Sequence, residues 1–189
     1  RDFKTYYTKF VCQYWRHYFP DLVSYTRMLK LLQTTLPALC SYLKQRFDKP
    51  TGIAFIDSTS LKVCHNMRIP RHQVFADEAK RGKGTMGWFY GFTLHLIMKD
   101  EGGLLAVKVT PGNVDDRKPV LDMVGNVTGS LYADKGYVST SLKAELAEQG
   151  IDFITGQRSN MKRQQISSWD RAMLSKRFII ETVFDQLKN

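Results

Sequence analysis

The fold class the sequence predicts is α/β: a mixed sheet flanked by helices, with an N-terminal helical segment before it. Three observations lead there. After residue 50, short apolar runs of strand length alternate with amphipathic stretches of helical period. Residues 88–98 and 104–110 are strand-like runs joined by the tight turn "DEGG", a hairpin signature. Before residue 50, Phe3, Tyr6, Tyr7, Phe10, Tyr14 and Tyr18 recur at three- and four-residue steps, the spacing of helices with one apolar face.

Taken in order, residues 1–49 read as helices. Pro20 and Asp21 break the first, Ser24 or Thr26 caps the next, and Pro37 interrupts or restarts it. The aromatics stand at core spacing, which leaves Arg16, Arg27, Lys30, Lys44 and Arg46 as candidates for phosphate contact in a DNA-binding helical module. "DKPTG" (48–52) has turn chemistry and reads as the linker to a second domain over 50–189. There "IAFID" (53–57) is a buried strand ending in an acid, and "LKVC" (61–64) a strand able to pair with it. The 88–110 hairpin follows, then a helix starting in "PGNVDDRKPVLDMV" with Asn113 or Asp115 as cap. "SLYAD" (130–134) is a second apolar run ending in an acid. "STSLKAELAEQG" (139–150) is a helix closed by Gly150, and "DFIT" (152–155) a last strand. A basic loop then leads to a helix over about 171–189. Hairpin strands followed by βαβ units imply a mixed sheet covered on its faces.

The 189 residues carry a net charge of +10 and are 43% hydrophobic, enough to bury a core and basic enough to favour a polyanionic partner. The charge is uneven. Lys and Arg outnumber Asp and Glu nine to three over residues 1–50, twelve to eleven over 51–150 and seven to four over 151–189. The acids thus concentrate in the middle, where a metal site could use them. Cys12, Cys40 and Cys64 lack C-x-x-C spacing and read as reduced core thiols of a cytoplasmic protein, with no zinc site. No apolar run is long enough to span a membrane and no signal peptide is visible. The first residue is Arg1, not Met, and the end falls inside a helical pattern, so the chain reads as a fragment of a longer protein.

The acids carry the chemistry. Ligands of open α/β sheets gather at the carboxyl ends of strands, and Asp57 and Asp134 each close an apolar run. Neighbouring parallel strands would bring both carboxylates to one crevice. Glu181 is placed to complete an oxygen-rich site suited to Mg2+. In the last helix Ile180, Val183 and Leu187 form the core stripe, while Arg177, Glu181 and Lys188 fall within roughly 40° of one another at its edge. One helix could thus offer a carboxylate to metal and two cations to phosphate. Two Mg2+ ions about 3.5–4 Å apart would activate a water or 3′-hydroxyl and stabilise a leaving oxygen. The plainer reading stays open at this point: turn acids, helix caps and a simple i, i+4 pair.

With those residues in place, the chain resembles bacterial insertion-sequence transposases of the DDE type, and among them the insertion-sequence nine-eight-two family. The matching stretches are "GIAFIDSTSLKVCHN", "GKGTMGWFYGFTLHLI", "TPGNVDDRKP", "ADKGY" and "KRFIIETVFDQLKN", in that order across about residues 52–189. The resemblance implies an RNase H-like fold and a metal-binding catalytic triad of Asp57, Asp134 and Glu181. It implies Mg2+ or Mn2+, two ions, and DNA transposition and recombination by phosphodiester hydrolysis and strand transfer at the ends of a mobile element. It implies a homodimer on DNA, with no membrane partner. The wider signature Tyr-x2-Arg-x3-Glu-x6-Lys matches Arg177, Glu181 and Lys188 and departs at Leu174, where Tyr is expected. Two alternatives stand beside this reading: an RNase H-like nuclease without strand transfer, and an inactive DNA-binding transposase remnant.

The remaining motifs are less specific. "GKGTMG" (82–87) spells G-x-G-x-x-G, but a strand follows it, so it is no dinucleotide site. It reads as a flexible loop bringing Arg81 and Lys83 to DNA, or as plain turn chemistry. Asp115 and Asp116 read as helix caps rather than extra ligands. His95 faces either the site or the core. Lys135 and Tyr137, just after Asp134, either touch phosphate or fill the turn.

Overall fold

The computed structural model describes residues 2–84, 87–157, 161 and 165–188. The chain divides after Arg46 into two compact units. In the first, α1 (Phe3–Tyr6) starts at Asp2, whose Oδ1 accepts from Thr5 N at 2.6 Å, and runs through a π-helical turn (Tyr7–Val11) into α2 (Cys12–Tyr14). Ser24 then caps α3 (Tyr25–Gln45), accepting from Arg27 N. Two expectations need correction. Pro37 lies inside α3 without ending it, because the turns on both sides hold the helix across the one lost donor. The aromatics are not a core: Tyr7 is 2% exposed and its hydroxyl donates to Val23 O at 2.6 Å, whereas Tyr18 is 71% exposed and Phe3, Tyr6, Phe10 and Tyr14 are also exposed. Two helices of a single turn or less and one long helix cannot enclose so many rings. The rings meet one another instead, as in the Tyr6–Phe10 stack at 5.7 Å.

In the second unit, Asp48 is bound into the fold rather than free in a linker: its N–H donates to Leu104 O at 2.8 Å and its carboxylate pairs with Lys99 at 2.8 Å. The six strands are β1 (Ile53–Cys64), β2 (Lys80–Gly84), β3 (Gly87–Lys99), β4 (Leu104–Pro111), β5 (Gly129–Ala133) and β6 (Ile151–Thr155). β1, β3 and β4 pair antiparallel, β2 pairs with the start of β3, and β1, β5 and β6 pair parallel in that order. This mixed sheet flanked by helices is RNase H-like, as expected.

Several elements differ from the expectation. Residues 53–64 form one strand, so "LKVC" continues "IAFID" rather than pairing with it; both halves are held along the long β3. The "GKGTMG" stretch is not a loop throughout. Its first half lies in β2, where Gly82 is required because a Cβ there would lie 1.9 Å from Gly112 O; Thr85 and Met86 fall outside the described residues. The helix expected after Gly112 shrinks to α4 (Val120–Met123), preceded by Pro119, because Asp115 folds back onto the Arg117 backbone N at 3.0 Å and side-chain Nε at 2.8 Å instead of capping it. That pairing holds the Asp115 carboxyl down at about 2. Ser139 caps α5 (Thr140–Glu148), and Gly150, at φ +74°, takes the left-handed turn after it. The final helix is two, α6 (Ser168–Lys176) and α7 (Phe178–Lys188), broken at Arg177. Part of the basic loop before α6, residues 158–160 and 162–164, lies outside the described residues.

Strand alternation sorts the core. Ala54, Ile56, Leu131 and Ala133 face Leu142 and Leu146 of α5 on one side of the sheet. Phe55 and Tyr132 face Met173 and Leu174 of α6 on the other, where Leu96 and Met98 receive Ile180 and Phe184 of α7. Leu174, where the wider signature expects Tyr, is thus a packing residue. Cys64 and Cys12 are half-buried and Cys40 is exposed, all unbonded, so Cys40 is no core thiol. Among the described residues no helix is long and apolar enough to cross a membrane.

Candidate active site

The parallel pairing of β1 with β5 ends at Ile56 and Ala133, and Asp57 and Asp134 are the next residues of each chain segment. Asp57 is therefore not at a strand end, since β1 continues to Cys64. It lies where β1 parts from β5 and goes on beside β3 alone. Asp57 shares parity with Phe55, and Asp134 with Tyr132, so both aim at the face covered by α6 and α7. On that face Ile180 docks into the sheet and brings the next residue, Glu181, to the two aspartates.

The three carboxylates meet one guanidinium. Arg177 Nη1 lies 2.5 Å from Asp57 Oδ2, and Nη2 lies 3.0 Å from Glu181 Oε1 and 4.0 Å from Asp134 Oδ1. Exposure differs sharply among them: the side chains of Asp57 and Arg177 are 18% and 15% exposed, those of Asp134 and Glu181 46% and 55%. Asp57 is the floor of the site and the other two acids its rim. Its other oxygen accepts from Ser58 N at 2.8 Å.

Burial pushes the Asp57 carboxyl above the ordinary 3.8; the Arg177 charge and the Ser58 N–H oppose this without cancelling it, and Asp134 and Glu181 add to it. The sign of the linkage follows. The stability contributed by protonated Asp57 is fully present below 3.8 and is lost as pH rises through the raised folded-state value. In metal-free protein we therefore expect the melting temperature of the natural chain to fall relative to Asp57→Asn as pH rises from 3.8 towards neutral. Thermal melts of both proteins across that range check it, and a gap that moves the other way contradicts it.

The remaining sequence candidates sort as follows. Lys188 is exposed on α7, two turns beyond Glu181, and Lys135 is exposed immediately after Asp134. Tyr137 fills the turn: it is buried, and burial pushes its hydroxyl well above the usual range. His95 belongs to the core on the opposite face, fully buried, with Nε2 2.8 Å from Thr110 Oγ1; burial lowers its pKa. Arg81 and Lys83 are exposed on β2, with Lys83 Nζ 5.9 Å from the Trp88 ring centre. Asp116 caps no helix. It accepts from Ser58 Oγ at 2.8 Å, so Ser58 ties Asp57 to a fourth acid. Sequence reasoning missed Ser58. Its one local signal was its place after Asp57, where a main-chain N–H can reach the preceding carboxylate.

The donor set consists of hard carboxylate oxygens, the set Mg2+ or Mn2+ takes, and it already surrounds one cationic group. Among the described residues no three His, Cys, Asp or Glu side chains stand close enough together to hold a metal ion. A groove of about 300 Å3 lined by Ser139, Lys143, Phe153, Gln157 and Asp170 includes none of the trio.

The family model described as "Transposase DDE domain" matches residues 47–189. No curated protein matches the chain. Among solved structures, the chain is similar to one described as the cryo-EM structure of piggyBac transposase synaptic complex with hairpin DNA. The likeness has 14% identity and a TM-score of 0.43, over 62% of this chain and 25% of that one, so the chain spans a quarter of that relative's length.

Proposed function

Because the chain belongs to the transposase DDE domain family, we propose that Asp57, Asp134 and Glu181 are its catalytic triad, and that it hydrolyses a phosphodiester at the ends of a bacterial insertion sequence and joins the freed end to target DNA. The observation that carries this is the convergence of the three carboxylates on a single guanidinium from two strands and a helix distant in sequence. Asp57, Asp134 and Glu181 are the residues that would hold Mg2+ or Mn2+, which supplies an activated water or 3′-hydroxyl and offsets charge on the leaving oxygen.

The chain's own residues do the rest. Ser58 N–H orients Asp57, and Ile180 and Phe184 seat the helix that carries Glu181. Lys135, next to Asp134, Lys188, two turns beyond Glu181, and Arg177, between the acids, are the cations offered to the phosphates on either side of the scissile bond. Within the second unit Arg81 and Lys83 on β2 are further cations for DNA, and the helical segment carries its own candidates for phosphate contact in Arg16, Arg27, Lys30, Lys44 and Arg46. We place this activity in the bacterial cytoplasm, in a homodimer of the nine-eight-two type, with residues 1–49 as a DNA-binding segment and 50–189 as the catalytic domain.

The test is a plasmid carrying the DNA that flanks the protein's own coding sequence, incubated with purified protein and Mg2+ or Mn2+. Nicking or cutting at the flanks, followed by products joined to a second plasmid, is expected. Cleavage with no joined product would leave a nuclease. DNA retained without any divalent-dependent cleavage would leave a binding remnant.

A further inference from the structure

Arg177 holds a position that the proposed chemistry does not explain. A phosphate-contacting cation belongs at the rim of a site, yet this guanidinium is at its centre. It is less exposed than any of the three acids, and its terminal nitrogens lie within 4.0 Å of all three. Its Nη2 faces both Glu181 and Asp134, while Nη1 takes the buried Asp57. A cation held by all three carboxylates would need the space that the guanidinium fills, and two cations in that space repel one another. Arg177 stands at the junction between the end of α6 at Lys176 and the start of α7 at Phe178.

We propose that Arg177 is a positioning residue that holds the three carboxylates together before a divalent cation arrives, and that the cation displaces its guanidinium from them. The inference rests on the assignment of the trio as metal ligands. Without a counter-ion, three carboxylates brought to one place repel, and the buried Asp57 is the most costly to leave unpaired. The guanidinium reduces that cost and keeps the acids assembled. Once displaced it is a planar, permanently charged donor beside the site, suited to bind a phosphate bidentately. Metal and DNA would then exchange one set of anions for another around the same side chain.

The test uses the full chain without DNA, melted across a Mg2+ series, for the natural protein, Arg177→Ala and Arg177→Lys. Without metal, Arg177→Ala melts lower than the natural protein. The gap closes as Mg2+ saturates, and the apparent Mg2+ affinity of Arg177→Ala is tighter by on the order of tenfold, the size of one opposite-charge contact on a carboxylate. Arg177→Lys, whose single ammonium cannot span three carboxylates, falls between them. A second readout needs no stable variant: the Arg177 side-chain Nε signal in the natural protein shifts as Mg2+ saturates. Equal or weaker Mg2+ affinity in Arg177→Ala, with the melting gap unchanged at saturation, or an Nε signal that does not move, overturns the displacement while leaving the metal site standing. No response to Mg2+ in any of the three proteins removes the metal site as well.

Discussion

On the proposed triad, Asp57→Asn is expected to lower divalent-dependent DNA cleavage by about a hundred- to a thousandfold while binding to DNA persists. The size follows from removing a preorganised charge at the reacting centre. Asn keeps the volume and one oxygen, so Ser58 N–H retains an acceptor and the strand keeps its register with β3. What is lost is the negative charge at the floor of the site, the least solvated of the three and the one nearest the Arg177 guanidinium. Asp134→Asn and Glu181→Gln are expected to lose activity to a similar extent, because carboxylates that share one site act as a unit. Glu148→Gln, an exposed acid on α5, is the control and should cleave normally. Nicking of supercoiled plasmid, scored over time with and without Mn2+, measures all four. Cleavage by Asp57→Asn within tenfold of the natural protein would remove Asp57 from the chemistry.

The second large effect is on stability. Ile180 has no exposed surface and packs with Leu96, Met98 and Phe184, the contact that seats α7 on the sheet. Truncating a fully buried Ile to Ala costs about 2–5 kcal/mol, part of it for the cavity left behind. For a unit of this size each kcal/mol lowers the melting temperature by about 2–4 °C, so a drop of roughly 5–15 °C is expected by circular dichroism. Activity at a temperature where the variant is still folded should also fall, because Glu181 is the next residue and moves with the helix. Ile180→Val, at about 0.5–1.5 kcal/mol, should keep most of both. An Ile180→Ala protein that melts with the natural one would mean that α7 is seated by something else.

Much of the candidate site was legible in the sequence. Asp57 and Asp134 stand out because each follows an apolar run, and apolar runs of that length are strands whose neighbours must also be buried. Glu181 stands out because it sits at the edge of an Ile180–Val183–Leu187 stripe. The β3–β4 hairpin, β5, α5 and β6 were equally plain, since alternation, turn residues and caps act over a few positions. The failures were of longer range. The break at Arg177 has no Gly or Pro to announce it. Asp116 looked like a helix cap because Ser58, its actual partner, is 58 residues away. The N-terminal aromatics have core spacing, but spacing says which face a ring lies on and not whether anything covers that face.

The acid at the end of each apolar run and the helical stretch that carries the third follow from the order of residues, because periodicity and turn chemistry are local. The placement of Arg177 among the three acids, the burial that raises the Asp57 carboxyl, and the link from Asp57 through Ser58 to Asp116 do not. Each depends on how far a charge lies from water and from every other charge, a distance set only when segments far apart in the chain are packed together.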